Sequence, residues 1–343
     1  MSKQEEKGPV LEEAMRHYFL KQGFFAVRAL PVIIENETVT DIDLLLFGKP
    51  NPFLRHRINV DIRNRKRPQA HERLIWAKGV QSLMGFDHCI LVTTDARPSL
   101  GRIAKGNHVS IITKQLVMPI IEEYSKDSVR LTEDEFVDQM KLASEKDSDS
   151  QTPFSVYTSA RAIVVNRFTS DSMNQMLETV RDSFNFYLTA DTWERSVRLL
   201  YLSSAFFLLI VDFWLKDHIS ATTPELTASL TEVIRYGSSG KRQSELLLSR
   251  VDRLLSIIKP VDQPDLFSDL RQVQQQQWNA VPAEIVADFL GSESTVFSLF
   301  ERAVLLEQSA YAKDIVPIAS LPADIKAVVY MLADYCKIDR KLL

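Results

Sequence analysis

Cysteine is almost absent from this chain of 343 residues, and Cys89 and Cys336 alone cannot build a disulfide framework or a cysteine-rich zinc site. That scarcity points to a reducing compartment. Histidine is also sparse, and His17, His56, His71, His88, His108 and His218 show no paired metal-ligand spacing on a common helix, which argues against zinc. No glycine-rich phosphate loop of the P-loop type is present, so the chain itself is not expected to be an ATPase. The opening residues MSKQEEKGPVLEEAM lack the apolar core of a secretory signal, and a cytoplasmic location is expected. Charge of one sign does not dominate either. A net charge of -4 and a pI near 5.9 give no global attraction to nucleic acid, so any such binding must come from a local basic patch. No internal repeat of solenoid period is visible.

What the chain does have is clear apolar periodicity. Val10, Leu11, Met15, Phe19 and Leu20 recur at helical spacing before Gly23. Residues 24–34, 38–47 and 56–63 read as three strands of a meander, the last two joined by the turn-rich GKPNP. A crossover helix is expected over 68–84 with Gly85 as its stop, then a doubly buried strand HCILVTT at 88–94, a short helix at 99–105, a strand at 109–113 and a helix at 116–124. The polar stretch SEKDSDSQT suggests a linker. The expected organisation is an α/β domain over 1–143 with a central mixed sheet flanked by helices, a linker over 144–155, and an all-helical domain over 156–343. Within the helical part, periodicity predicts helices over 173–187, 192–216, 224–236, 242–258, 266–278, 283–305 and 322–338. The run LLYLSSAFFLLIVDFWL approaches membrane-spanning length, but Asp212, two serines and charged flanks favour a buried central helix. Trp193, Phe206, Phe207, Phe213 and Trp214 are accordingly expected in the core rather than at a binding surface.

The chemistry is concentrated between residues 38 and 66, in TVTDIDLLLFGKPNPFLRHRINVDIRNRK. A carboxylate inside an apolar strand loses hydration unless it is paired or holds a cation, so Asp41, Asp43 and Asp61 require an explanation. Side chains two apart on a strand share a face, which groups Asp41 with Asp43 and Asp61 with Arg63. Arg55, Arg57, Arg63, Arg65, Lys66 and Arg67 crowd around Asp61, whereas the chain beyond residue 143 is acidic. These elements resemble the PD-(D/E)XK nuclease superfamily, in its restriction-endonuclease-like, Mrr-type branch, over about residues 8–125. GPVLEEAMRHYFLKQGF matches the first helix and TDIDLLLF the second strand. NVDIRNRK matches the third strand, with RPQAHERLIWAKGVQSLMG and HCILVTT as the helix and strand after it.

The resemblance implies a site of Glu12, Asp43, Asp61 and Arg63, with Asp43 and Asp61 as ligands of Mg2+ or Mn2+. Asp41 stands as the alternative to Asp43 and Glu13 as the alternative to Glu12. It also implies a divalent-metal-dependent nuclease acting on nucleic acid, DNA before RNA, in a setting of defence, restriction or repair. Arg63 stands where the family has lysine, and arginine is a planar donor fork that does not give up a proton. Lys66 is a candidate to fold back in its place. The departure opens an alternative, a catalytically inactive relative that binds nucleic acid or serves as an assembly or adaptor subunit. Nucleic-acid contacts are assigned to Arg55, Arg57, Arg65, Lys66 and Arg67, and the helical domain to homo-oligomerisation or a protein partner, with no membrane involved. Each residue also has a plainer reading: turn-side acids for Asp41 and Asp43, a same-face ion pair for Asp61 with Arg63, helix-dipole acids for Glu12 and Glu13, and a solvated edge strand for the basic run.

Overall fold

The computed structural model describes residues 7–35, 37–63, 69–94, 97–126, 129–142, 151–189, 193–258 and 266–343. Helix α1 (Lys7–Lys21) leads into strands β1 (Phe25–Ile34), β2 (Glu37–Asn51) and β3 (Leu54–Arg63). After α2 (Ala70–Met84) come β4 (His88–Thr93), α3 (Pro98–Gly106), β5 (Val109–Thr113) and α4 (Lys114–Tyr124). The five strands form one mixed sheet in sequence order, antiparallel through β3 and parallel from β3 to β5. The expected meander and the two later strands are all present. Short crossovers through α2 and α3 are what parallel neighbours require.

The rest is helical: α5 (Glu133–Met140), α6 (Pro153–Val165), α7 (Ser170–Thr189), α8 (Trp193–Leu215), α9 (Thr223–Tyr236), α10 (Gly240–Ile258), α11 (Leu266–Ala280), α12 (Ala283–Gly291), α13 (Glu293–Val296), α14 (Leu299–Tyr311) and α15 (Ala323–Tyr335). One correction concerns the helix expected over 283–305, which is broken at Ser292 and near Ser298, with each serine standing at the N-cap of the next segment. Another concerns the expected linker: 144–150 lies outside the described residues, but Pro153 already starts α6, with Thr152 and Ser155 closing a capping box.

Helix α8 is long and apolar enough to cross a membrane by length and composition, and 89% of that stretch is buried inside the protein. Residues 195–213 are all buried, so α8 is the central core helix that its polarity suggested. Asp212 within it is neutralised by Arg55 on the sheet and by Lys49 at 3.3 Å. Phe206, Phe207 and Phe213 lie in the core as expected, but Trp193 is 41% exposed and Trp214 only half-buried.

Strand alternation divides the sheet between two cores. Leu44, Leu46, Ile58, Val60 and Ile62 point to one face, where Leu11, Met15 and Phe19 of α1 and Val117 and Ile120 of α4 cover them. On the opposite face, Phe25, Val27, Leu45 and Phe47 join a continuous core with α6, α7, α8 and α14, through ring contacts such as Phe25 with Phe206 and Phe47 with Phe213. The sheet and the helices beyond residue 155 therefore share a core. Farther along that face, Ala70, Leu74, Leu100 and Ala104 of α2 and α3 pack on Cys89, Leu91 and Val109. Between these two coverings runs the odd-numbered row of β3: Arg55, Arg57, Asn59, Asp61 and Arg63. It lies in the seam where helices meet, which is why a row of polar residues survives inside.

Candidate functional site

The row is held one residue at a time. Arg55 pairs with Asp212 of α8 through Nε and Nη2, and its Nη1 donates to the carbonyls of Asn51, Pro52 and Leu54. Arg57 donates from Nη2 to the Val165 carbonyl, 2.6 Å away at the end of α6. Asn59 donates to the Ala77 carbonyl of α2 at 3.1 Å. Asp61 accepts from Arg73, also on α2, through both carboxylate oxygens, one contact at 3.1 Å from Nε and the other from Nη2. Arg63 approaches the same carboxylate at 3.7 Å.

Asp43 sits across from this end of β3 and accepts a hydrogen bond from the Ile62 backbone at 2.6 Å. Burial pushes its pKa up to about 7, with the nearby charges of Asp61 and Glu12 adding to the rise against the Ile62 hydrogen bond and Arg63. The expected residues Glu12, Asp61 and Arg63 therefore do come within electrostatic reach of Asp43. Asp41 points away to solvent on the outer part of β2 and is not part of the group. Glu12 is half-buried and receives Arg28 Nε at 2.8 Å. Glu13 is fully engaged elsewhere, accepting from Arg28 and from the backbone of Glu133 at the start of α5. That makes Glu13 a structural residue.

A hard divalent cation needs carboxylate oxygens that are free and ionised. Here both oxygens of Asp61 already face the Arg73 guanidinium, Glu12 faces Arg28, and Asp43 is close to half-protonated at neutral pH. Among the described residues no group of three or more histidines, cysteines, aspartates or glutamates is placed to hold a metal ion. As folded, the acids do not fit Mg2+ or Mn2+.

The nucleic-acid surface also needs correction. Arg55 and Arg57 are 8% and 7% exposed, because the alternation that turns Asp61 inward turns them inward as well. Neither can reach a phosphate backbone on the outer surface. Arg65, Lys66 and Arg67, including the proposed fold-back of Lys66, lie outside the described residues. Gln81 is buried and ties the end of α2 to the Asp87 carbonyl at 3.2 Å. Arg73 is the residue that sequence reasoning missed. It stacks on Trp76 at 3.9 Å while gripping Asp61, and its only signal is a basic residue one turn into the helix after the acidic strand.

A second polar assembly joins the sheet region to the helices. Arg16, 1% exposed, donates to Glu133 at 2.9 Å and Glu307 at 3.1 Å, and Glu133 also accepts from the hydroxyls of Tyr157 and Tyr311. Arg28 meets Glu12, Glu13 and Asp134, Arg130 meets Glu307, and Arg161 approaches Glu133 at 3.2 Å. Burial alone would raise the Glu133 carboxyl, but Arg161, Arg16 and the two tyrosines hold it below its ordinary value. Glu12 thus belongs both to the acidic group and to the junction with the helices. Comparison of the chain with protein-family models, with curated proteins and with solved structures finds no match in any of the three.

Proposed function

We propose that this chain is a nuclease-like protein that binds nucleic acid without cutting it, its acidic centre closed by an arginine. The observation that carries this reading is the two-pronged grip of Arg73 on Asp61, which sets a guanidinium where a hard cation would otherwise approach. Arg63 beside it supports the same reading, since it offers donors for a phosphate oxygen but no readily lost proton. The resemblance in element order supports the nuclease-like scaffold, and the five-stranded mixed sheet with α1 against it is consistent with that order. Arg63, Arg65, Lys66 and Arg67, which follow Asp61 in the sequence, favour nucleic acid as the partner, DNA before RNA by resemblance.

The convergence of Glu12, Asp43 and Asp61 favours a second reading, a Mg2+- or Mn2+-dependent nuclease that becomes competent when Arg73 leaves Asp61. One experiment separates the two. Purified protein is incubated with linear, circular and single-stranded DNA in magnesium or manganese, beside an Asp43→Ala, Asp61→Ala double variant, and binding is followed by gel retardation. The first reading expects salt-sensitive, metal-independent retardation with intact DNA. Metal-dependent cutting that the double variant loses would replace it with the second, and absence of both cutting and retardation would sink both.

A further inference from the structure

Arg57 presents a different problem from Arg55 and Asp61. It is more than nine-tenths buried, yet among the described residues its guanidinium makes a single hydrogen bond, to the Val165 carbonyl, and no ion pair with a carboxylate. Among the described residues its Nε has no hydrogen-bond partner. Asp87 is nearby, but its carboxylate takes the Arg57 backbone N–H at 2.7 Å. The guanidinium lies over the Phe86 ring at 4.8 Å and the Phe168 ring at 5.5 Å, contacts that contribute less than a carboxylate would. Burial lowers the Arg57 pKa to about 10, with Arg167 adding to the fall and Asp87 only partly opposing it. A buried charge left this way destabilises the fold unless something else completes it.

The surroundings indicate what would complete it. Arg57 lines a cavity of about 630 Å³ between the start of β3, the end of α2, the segment after α6 and the end of α8. That volume lies in the range of small-ligand sites. Arg167 and Lys216 also line it, as do the aromatic side chains of Phe168 and Trp214. Arg167 is exposed and its side chain makes no hydrogen bond or ion pair among the described residues. Lys216 is held by its neighbour Asp217 at 3.0 Å, an exposed contact that a stronger anion can displace. Arg55, at the border of the cavity, is already neutralised by Asp212. Asp87 and Asp217 line it as well; with Arg55 matched by Asp212 and Lys216 by Asp217, Arg57 and Arg167 face Asp87 alone, so the cations of the cavity exceed its acids by one.

We propose that this cavity is a binding site for a phosphate monoester carried on a planar base, that is, a free mononucleotide. Paired guanidinium groups suit phosphate because each offers parallel donors. Trp214, stacked on His218 at 3.8 Å, has its other face for the base, and Phe168, stacked on Phe47 at 5.5 Å, adds apolar wall. The site is distinct from the acidic centre. Arg57 stands four residues before Asp61 on β3, about 13 Å along the strand at ~3.3 Å per residue. The proposal does not rest on the nuclease-like reading.

The test is calorimetric titration and thermal shift of the full chain with adenosine 5′-monophosphate, inorganic phosphate and adenosine, on wild type, Arg57→Met and Arg167→Glu. Arg167→Glu changes an exposed side chain and so reports on binding without endangering the fold. The expected result is that adenosine 5′-monophosphate binds and raises the melting temperature, phosphate binds more weakly, and adenosine does not bind. Arg167→Glu should weaken the nucleotide at least about tenfold through loss of a charge-assisted contact and gain of a repulsive one, and Arg57→Met should abolish the response. No binding of either phosphate-bearing probe to wild type would overturn the proposal. Adenosine binding as tightly as its monophosphate, or unchanged affinity in a folded Arg167→Glu protein, would overturn it too.

Discussion

Arg16 and Arg57 are both arginines buried between the sheet and the helices, and they are treated in opposite ways. Around Arg16, burial pulls the pKa down, but Tyr311, Glu133, Glu13 and Glu307 outweigh it and hold the guanidinium well above its ordinary value. Around Arg57, burial wins, and among the described residues no carboxylate forms an ion pair with the guanidinium. The first pattern is what a permanent junction requires, since α1, α5, α6 and α14 meet there and each charge is matched by another. The second pattern has no benefit for a closed interior. A charge left unmatched inside a protein therefore separates a region kept for a ligand from one kept for the fold.

The largest test of this contrast is Glu133→Ala. It strips one carboxylate from Arg16 and Arg161 and the acceptor from two buried tyrosine hydroxyls, and is expected to cost about 3–5 kcal/mol in denaturant unfolding. A loss under about 1 kcal/mol would mean that apolar contacts alone hold the junction. Asp43→Asn comes next and carries a pH signature. The Asp43 pKa is raised from 3.8 to about 7, so the folded state holds the proton more tightly than the unfolded chain. Its favourable contribution is complete below about pH 4 and is lost as pH rises to about 7, a span of order 4 kcal/mol at about 1.4 kcal/mol per unit. Asparagine, which has no proton to lose, should make the variant more stable than wild type at pH 8 and remove that advantage at pH 4. Identical pH profiles for the two proteins would show that Asp43 is better hydrated than its setting implies.

The acidic end of β3 supplies a smaller test. Arg73→Met is expected to lower stability by about 2 kcal/mol, because Asp61 keeps Arg63 nearby but loses both hydrogen bonds. It should also gain a rise in melting temperature with manganese that wild type does not show. If wild type responds to manganese equally, Arg73 does not close the site and the cutting reading gains.

Much of this arrangement could be read before any coordinates. The apolar runs located each strand of the sheet, and the parity of β3 put Asp61 and Arg63 on one face. The same parity put Arg55 and Arg57 on that face, opposite the apolar Ile58, Val60 and Ile62, and their charge suggested an outer surface. Inside a seam between helices, packing geometry outranked charge. Helices α5 and α6 were missed although their starts were signalled, by Thr132 with Glu135 and by Thr152 before Pro153. Short length and a polar preceding stretch hid them. Arg73 was not legible, because which face α2 turns to the sheet depends on the packing of Leu74 and Ala77, and only that rotation brings Arg73 onto Asp61.

The smallest expected effect is the most informative for the contrast. Arg57→Met keeps a long apolar stem against Phe86 and Phe168 and removes a desolvated charge that has no carboxylate partner. The change loses one hydrogen bond and two ring contacts and gains relief from desolvation. The ligand-free variant should therefore lie within about 1 kcal/mol of wild type, on either side. Arg16→Met, of the same chemistry and depth, should instead lose several kcal/mol, because it leaves Glu133 and Glu307 buried with fewer partners. Equal losses in the two variants would mean that Arg57 supports the fold as Arg16 does. A near-neutral Arg57→Met beside a crippled Arg16→Met would mark Arg57 as a residue that the fold tolerates and whose worth lies in what it binds.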